Sequence, residues 1–321
     1  MLVHLRLTVP DDLTDGVREV LTGHDWITNV TVQPGACVQP PGDLVECDVA
    51  KEKANEVLGE LDDLGVCDRG GILVTQPTGT PFRAANELEA AAPGHPDDAI
   101  IWESVEEQAE DGAVGTVSFQ IFLVIAVSLG AIAVINDSAV LVVGAMVVGP
   151  EFSAIAAASA GVVLARWGLV GRSLRLLLVS FAFSIAVVTL CALLARPFGL
   201  VTVEMVTRPR PNTGFIWHPD WWSFVVALLA GVAGALALSV EKTATMVGVF
   251  ISVTTVPAAG NLALGLALWQ RAEIVGSIEQ LVLNVATMVV AGALLLAAQR
   301  AWWPWLVTHS ERYLGQRSGA R

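Results

Sequence analysis

Cysteine is scarce in this sequence and is not clustered. The four cysteines, Cys37, Cys47, Cys67 and Cys191, form no Cys-x-x-Cys pair and no Cys/His group. This spacing argues against a zinc site and against a disulfide framework, and it fits a reducing cytoplasm. The first residues, MLVHLRLTVPDD, lack a basic start followed by an apolar core. We therefore expect no cleaved signal peptide.

The motifs of known intramembrane catalysis are also missing. The apolar segments contain no His-Glu-x-x-His, no Gly-x-Ser-x-Gly and no paired aspartates, so an enzyme is the weakest of the function classes. We expect no catalytic residue, no bound metal and no cofactor. Basic residues are few, 18 Lys and Arg against 31 Asp and Glu, and this acidity argues against a nucleic-acid partner.

Charge is divided sharply along the chain. Residues 1–118 carry 6 Lys/Arg and 23 Asp/Glu, a net of −17, whereas residues 119–321 carry 12 and 8, a net of +4. The acidic part indicates a solvated surface, or a host with high internal salt. The remainder contains apolar runs too long for a globular core, which predicts a multi-pass membrane protein whose partner is the lipid bilayer.

The acidic part begins with a small α+β domain, residues 1–80. Residues 3–9 alternate apolar and polar, a helix is expected over 11–22, and strands are expected over 27–32 and 44–49. A Pro- and Gly-rich link, 33–43, separates these two strands. An amphipathic helix over 51–64 and a strand over 72–75 complete a β-α-β-β-α-β order, which predicts a ferredoxin-like fold that acts as a cytoplasmic regulatory or assembly module.

Residues 81–118 are expected to form an acidic helical connector, and residues 119–300 the membrane domain. The apolar runs are 119–135, 139–165 and 172–195, and then 222–240, 243–269 and 278–299. They predict about six spans and a cytoplasmic interfacial tail, 301–321. A loop over 196–219 separates two halves, 119–195 and 222–299, and short loops are expected over 166–171 and 270–277.

The two halves repeat one pattern. Val143-Gly144 matches Val247-Gly248, Asp137 matches Glu241, and Leu169-Val170-Gly171 matches Ile274-Val275-Gly276, at offsets of 104 or 105 residues. Each half contains three predicted spans. Because this number is odd, the second copy must be inverted in the bilayer, as in many secondary transporters. A duplication retained only for fold stability is the alternative. Small residues at helical spacing favour close helix contacts and a homo-oligomer.

Basic residues indicate the orientation. With the N-terminus inside, the inner loops and tail hold eight Lys/Arg and the outer loops hold four. This asymmetry predicts a cell (inner or plasma) membrane protein with both termini in the cytoplasm.

Both middle runs are interrupted near their centres, at Gly149-Pro150-Glu151 and at Pro257. A proline removes a backbone hydrogen bond, and the freed carbonyls must face protein or a wet cavity. A kink satisfied by neighbouring helices is the alternative. A carboxylate at Glu151 is costly unless it is protonated, paired or hydrated, so it is either a proton or cation carrier or the wet tip of a re-entrant hairpin. The other candidate substrate- or ion-binding residues near the breaks are Ser153, Thr254, Thr255 and Asn261.

Asp137 and Glu241 stand at matching junctions before the middle runs. They are candidate gates at opposite faces, or N-terminal caps favoured by the helix dipole.

One segment carries a family resemblance. Ser138-Ala139-Val140 followed by Val143-Gly144-Ala145-Met146 and Gly149-Pro150 resembles the signature of the domain of unknown function 389 family of prokaryotic membrane proteins. The similarity covers about residues 115–300. It implies a polytopic membrane protein and brings no substrate. The family pattern has an apolar residue after the first proline and often a proline pair at the second break, so it assigns no role to Glu151 or to the single Pro257.

Two functions follow as hypotheses. The first is a secondary transporter or channel for a small polar solute or ion, with proton coupling at Glu151. The second is a membrane sensor or scaffold without transport, whose soluble domain binds a ligand or partner.

Overall fold

The structure, a computed structural model, describes residues 2–77, 79–85, 88, 99–239 and 254–313, with side chains described as far as Trp302. The chain divides into two units, residues 1–103 together with 301–321, and residues 104–300. The first contains a four-stranded antiparallel sheet and the second is helical.

The sheet unit has the element order that the sequence predicts. The sheet order is β2-β3-β1-β4, so the first strand lies inside the sheet between the third and the fourth. The elements are β1 Leu2–Val9, α1 Thr14–Thr22, β2 Ile27–Val38, β3 Pro41–Ala50, α2 Ala54–Asp63, α3 Val66–Arg69 and β4 Gly71–Thr75.

Both longer helices cover one face of this sheet. The alternate residues Val3, Leu5 and Leu7 of β1 are fully buried in one cluster with Val17 of α1 and Leu61 of α2. Strand residues two apart share a face, and helix residues three or four apart share a stripe, so the two patterns meet in a single core.

The expected link over 33–43 is mostly strand. β2 continues to Val38 and β3 already begins at Pro41. The pairing register shifts between Gln33 and Cys37, and Gly35 adopts a left-handed φ of 63° within that irregularity. A bulge of this kind lets glycine stay within a strand.

The second unit contains helices long and apolar enough to cross a membrane. Four are long enough, at Val117–Asn136, Trp167–Phe198, Trp221–Ser239 and Arg271–Trp302, and a bent pair adds a fifth if it counts as one span. The helices are α4 Trp102–Gly112, α5 Val117–Asn136, α6 Ala139–Val148, α7 Glu151–Val163, α8 Trp167–Ala195, α9 Val203–Thr207, α10 Trp221–Ser239, α11 Thr255–Leu268 and α12 Arg271–Tyr313.

Four or five candidate spans are thus found among the described residues, where the sequence predicts about six. α11 has 14 residues and is shorter than a span. The residues that would extend it, 240–253, lie outside the described residues, and so does Glu241. Two expected loops are shorter than predicted, because α8 begins at Trp167 and α12 at Arg271. The expected tail is helical as far as Tyr313.

Glycines allow the helices to approach closely. A Cβ on Gly130 of α5 would contact the Cα of Pro257 at 3.1 Å, and one on Gly234 of α10 would collide with the ring of Phe152. A Cβ on Gly260 of α11 would meet the backbone of Ala131 in α5 at 2.5 Å. These contacts bring the starts of α7 and α11 into the centre of the helical unit.

Polar contacts close the two ends of this unit. At one end Arg166 pairs with Glu106 and Glu110 of α4, and Arg300 donates to the carbonyl of Val163. At the other end Arg208 of the 196–220 loop donates a 2.8 Å hydrogen bond to the carbonyl of Ile135. α8 starts beside Arg166 and ends at Ala195, where this loop begins, so the two groups of contacts lie at opposite ends.

Candidate functional site

The first middle run is broken at Gly149 and Pro150. α6 ends before Gly149, which is extended with φ −67° and ψ 126°, and α7 restarts at Glu151 with an axis bent by 57°. Proline cannot donate the hydrogen bond that would continue α6, and its fixed φ suits the residue just before a new helix. The predicted break is therefore present, as a broken span or a re-entrant turn.

Glu151 is buried at this break, with 5% of its surface exposed. Its Oε1 accepts a 2.7 Å hydrogen bond from the hydroxyl of Thr255, which is fully buried. Its Oε2 is buried as well and has no hydrogen-bond partner among the described residues. This burial does not fit the alternative in which Glu151 is the wet tip of a re-entrant hairpin.

Gly149 makes room for the carboxyl group of Glu151. A Cβ at Gly149 would collide with Oε2 of Glu151 and would approach Cγ2 of Val256 at 2.8 Å. The space that a side chain would fill is thus the space that holds the unpartnered oxygen. Gly149, Glu151 and the start of α11 form one site, which we call the break site.

Two helices begin at the break site. Glu151 is the first residue of α7 and Thr255 is the first residue of α11. The first amides of a helix have no acceptor within that helix, and each helix start carries roughly half a positive elementary charge. The carboxylate of Glu151 therefore lies where two positive helix ends meet.

Thr254 forms a second polar contact beside the break site. Its hydroxyl oxygen accepts hydrogen bonds from Gln280 at 3.0 Å and from Asn284 at 2.8 Å, both on α12. Gln280 also donates to Asn284 at 3.3 Å, and its own Oε1 is buried without a partner among the described residues. Thr254 and Thr255 thus connect α11 to α12 on one side and to α7 on the other.

A cavity of about 320 Å³ leads to Thr254. Its walls come from α6, from Phe215 of the 196–220 loop and from the start of α10, and its polar lining residues are Asp220, Ser223, Thr254 and Asn284. Trp222, at the other end of the lining, is 69% exposed. The cavity therefore connects the surface near the start of α10 with the start of α11.

Asn261 belongs to a different cluster, further along α11. It donates to Glu273 and to Ser277, and it accepts from Arg210, which forms two 2.7 Å contacts with the carboxylate of Glu273. The side chains of Arg210 and Glu273 are 2% and 5% exposed. A buried ion pair with this many hydrogen bonds ties the 196–220 loop to the start of α12.

The other candidates make contacts that do not involve the carboxyl group of Glu151. Ser153 is exposed and its hydroxyl donates to the carbonyl of Pro150. The N-cap of α6 is Ser138 and not Asp137, whose carboxylate accepts hydrogen bonds from Asn212 and Thr213 of the 196–220 loop. Pro257 packs against Gly130 of α5.

Sequence reasoning missed two partners of these residues, Gln280 and Arg210. Gln280 lies in an apolar run four residues before Asn284, a spacing that places two amides on one helix face and could have marked Gln280. Arg210 lies in a loop, and nothing in its surroundings distinguishes it from an exposed arginine.

Among the described residues, no group of three or more His, Cys, Asp or Glu side chains could hold a metal ion.

Comparison with protein families connects this site to the expected resemblance. Residues 146–290 match the family described as "Domain of unknown function (DUF389)". The match covers 145 of the 321 residues. The matched region contains both halves of the break site as well as the cluster around Arg210, so the predicted resemblance is confirmed over these residues.

The relatives of the chain carry no functional description. An uncharacterized protein of Methanocaldococcus jannaschii is 24% identical over 237 residues, which cover 72% of this chain and 70% of that protein. No solved structure matches the chain.

Proposed function

We propose that this chain is a secondary transporter or channel for a small polar solute or ion, and that the break site is where that species binds. The observation that carries the proposal is the buried Oε2 of Glu151, which has no partner among the described residues. A carboxyl oxygen taken out of water without a partner costs several kcal/mol, so such a group is retained where a ligand or proton satisfies it.

The cavity supports the same proposal. It leads from the exposed Trp222 to Thr254, the neighbour of the residue that holds Glu151. Binding sites of transporters commonly form at discontinuous helices, where helix ends and unpaired backbone groups replace water. Here the cavity is lined by the exposed Trp222 of α10 and by Thr254, which directly precedes the residue that binds Glu151.

Reciprocal contacts support an inverted repeat and a six-span plan. Gly130 contacts Pro257 beside the second break, and Gly234, 104 positions later, contacts Phe152 beside the first. Ser159 donates to a carbonyl of α12, and the residue 104 positions later, Ala263, accepts from Thr189 of α8. The same pairs of elements are thus in contact in both directions, as expected for two copies related by a two-fold axis, although Ser159 donates with its side chain and Ala263 accepts with its backbone carbonyl.

The proposal places both termini in the cytoplasm. Arg166, Arg172 and Arg300 lie toward the end of the helical unit where α4 packs, and the more numerous basic residues of that side favour the cytoplasm. The sheet order β2-β3-β1-β4 with two helices on one face supports the ferredoxin-like assignment, and we propose that this unit regulates the membrane domain. Self-association of the membrane domain is part of the same proposal.

Flux measurements in liposomes test the proposal. The full-length chain would be reconstituted and challenged with a panel of small ions and polar solutes, with and without a pH gradient. We expect at least one species to move faster than in empty liposomes, with a pH dependence that is lost in Glu151→Gln.

Glu204→Gln is the matched control, because Glu204 is an exposed carboxylate in the 196–220 loop. It should behave like the unmodified chain. Absence of flux for every species, or identical behaviour of Glu151→Gln and the unmodified chain, would contradict transport at the break site and favour a sensor or scaffold.

A further inference from the structure

The chemistry of the break site points to the class of ion that it takes. α7 and α11 both begin there, and Glu151 and Thr255 are their first residues. Both helices have at least thirteen residues, so their dipoles add to a positive field of about one elementary charge at their meeting point. A site with this field favours an anion.

The chain supplies that negative charge itself. The carboxyl group of Glu151 is 95% buried between the two helix starts, held through one oxygen by Thr255 and left without a described partner at the other. It occupies the place that an external anion would take. When Glu151 is protonated, the positive field is no longer balanced, and the site has an O–H donor for a second anion.

Among the described residues, few other charges act on this site; Glu241 and Lys242 lie outside the described residues. The described residues of α5, α6, α10 and α11 contain no charged side chain, and Glu151 is the only one on α7. Charges on the remaining helices are paired or exposed: Glu273 with Arg210, Glu106 and Glu110 with Arg166, and Asp111, Arg172, Arg175, Arg271 and Glu279 at the surface. Arg300 lies at the far end of the unit, where it contacts Val163.

The cavity is compatible with a small ion. Its described lining carries one charged residue, Asp220 just before α10, whose carboxylate already accepts hydrogen bonds from the amide and hydroxyl of Ser223. No lysine or arginine is among its described lining residues, so the proposal assigns the selectivity for an anion to the starts of α7 and α11.

We propose that the break site binds a small monovalent anion when Glu151 is protonated, so that one anion and one proton cross the membrane together. This inference rests on the proposed transport function and names its substrate class. The ionised carboxylate of Glu151 and the bound anion thus take turns in balancing the positive field of the two helix starts. The loaded site, with a neutral carboxyl and one anion, carries the same charge as the empty site with the ionised carboxylate. Cotransport by this route is therefore electroneutral.

Full-length protein in liposomes that contain a pH-sensitive dye tests the proposal with chloride, nitrate and formate as probes. An inward gradient of at least one of these anions should acidify the lumen at least tenfold faster than in empty liposomes, and clamping the membrane potential with valinomycin and potassium should leave the rate unchanged. Glu204→Gln should match the unmodified chain.

Glu151→Gln separates this proposal from its rivals, because glutamine imitates the protonated carboxyl and cannot release the proton. Isotopic exchange of the same anion should persist within about threefold of the unmodified rate and become independent of pH, while proton uptake disappears. Loss of anion exchange in a variant that still elutes and melts like the unmodified chain would overturn the proposal. Flux driven only by sodium or potassium would also overturn anion–proton cotransport, but it would leave the proposed transport function in place. Absence of any flux would overturn both proposals.

Discussion

The hydroxyl of Thr255 donates a 2.7 Å hydrogen bond to Oε1 of Glu151, and these two residues lie 104 positions apart. Each is the first residue of a helix, and 104 is also the offset at which the two halves of the sequence match. Under the proposed inverted repeat, Glu151 and Thr255 are corresponding positions of the two halves, and the hydrogen bond joins the starts of α7 and α11. One copy carries a carboxylate there and the other a hydroxyl that binds it.

Gly149→Ala should disrupt the break site, because the added methyl group would occupy the space of Oε2 of Glu151. We expect loss of most flux and a destabilisation of about 1–3 kcal/mol from overpacking. Thermal unfolding in detergent and liposome flux measure the two effects. Gly144→Ala, in the helix that ends just before Gly149 and with nothing within 4 Å of the new Cβ, is the matched control. Equal behaviour of the two variants would contradict the packing described for Gly149.

Thr255→Val should remove the hydrogen bond to Oε1 of Glu151 while leaving the start of α11 in place. Removing a hydrogen bond to an ionised group costs about 1.5–3 kcal/mol when that group stays buried. We therefore expect a lower melting temperature above the pH at which Glu151 ionises, with the difference vanishing once the carboxyl is protonated. Thr207→Val is the control, since the Thr207 hydroxyl is exposed and bonds only its own helix. A pH-independent loss would show that the hydroxyl serves the helix alone.

Arg210 and Glu273 should behave as a coupled pair. Removing one partner of a buried ion pair leaves the other charge uncompensated and costs about 3–5 kcal/mol. We expect Arg210→Met and Glu273→Gln to be destabilising singly, and the double variant to be more stable than the sum of the two losses predicts. A double-mutant cycle on melting curves measures the coupling. Additive losses would show that the two groups do not interact in the folded protein.

Asp43 makes the sheet unit sensitive to acid. The amide of Gly35 and the hydroxyl of Thr14 donate to its carboxylate and hold the pKa of Asp43 below its ordinary value of 3.8. A lowered pKa contributes stability that is fully present above about pH 4 and is lost as the pH falls through the folded value.

Thr14→Val should therefore weaken the protection of residues 10–45 against hydrogen exchange at pH 5, with less difference from the unmodified chain at pH 2.5. Exchange measured by mass spectrometry on the full-length protein, corrected for intrinsic rates, tests this. If the difference in protection between Thr14→Val and the unmodified chain grew toward low pH, it would contradict a stabilising hydrogen bond to the ionised carboxylate of Asp43.

Patterns with a single physical cause were predictable from the sequence. The alternation in β1, the apolar stripe of α2 and the break at Pro150 each follow from local chemistry, and each is present in the structure. The strand through 33–38 was wrongly expected to be a loop, because Gly35 reads as a turn residue whereas pairing with β3 keeps it in the sheet.

Contacts between distant segments were not predictable. Glu151 was singled out because a carboxylate is rare in an apolar run, but its partner Thr255 is one of several hydroxyls near the second break. Arg210 is buried only because the 196–220 loop folds onto the start of α12. Such pairs depend on helix packing, which one sequence does not specify.

Accessibility at Thr254 tests most directly whether the cavity serves the break site. In a cysteine-free chain, Thr254→Cys would be treated with a membrane-impermeant thiol reagent from either side of the liposome, and Val290→Cys on the outer surface of α12 would be the control. The account predicts that the Thr254→Cys variant reacts from one side only and loses flux on modification, whereas the Val290→Cys variant does neither. A folded Thr254→Cys variant that stays unmodified from both sides, or that keeps its full flux after modification, would contradict a path through this cavity.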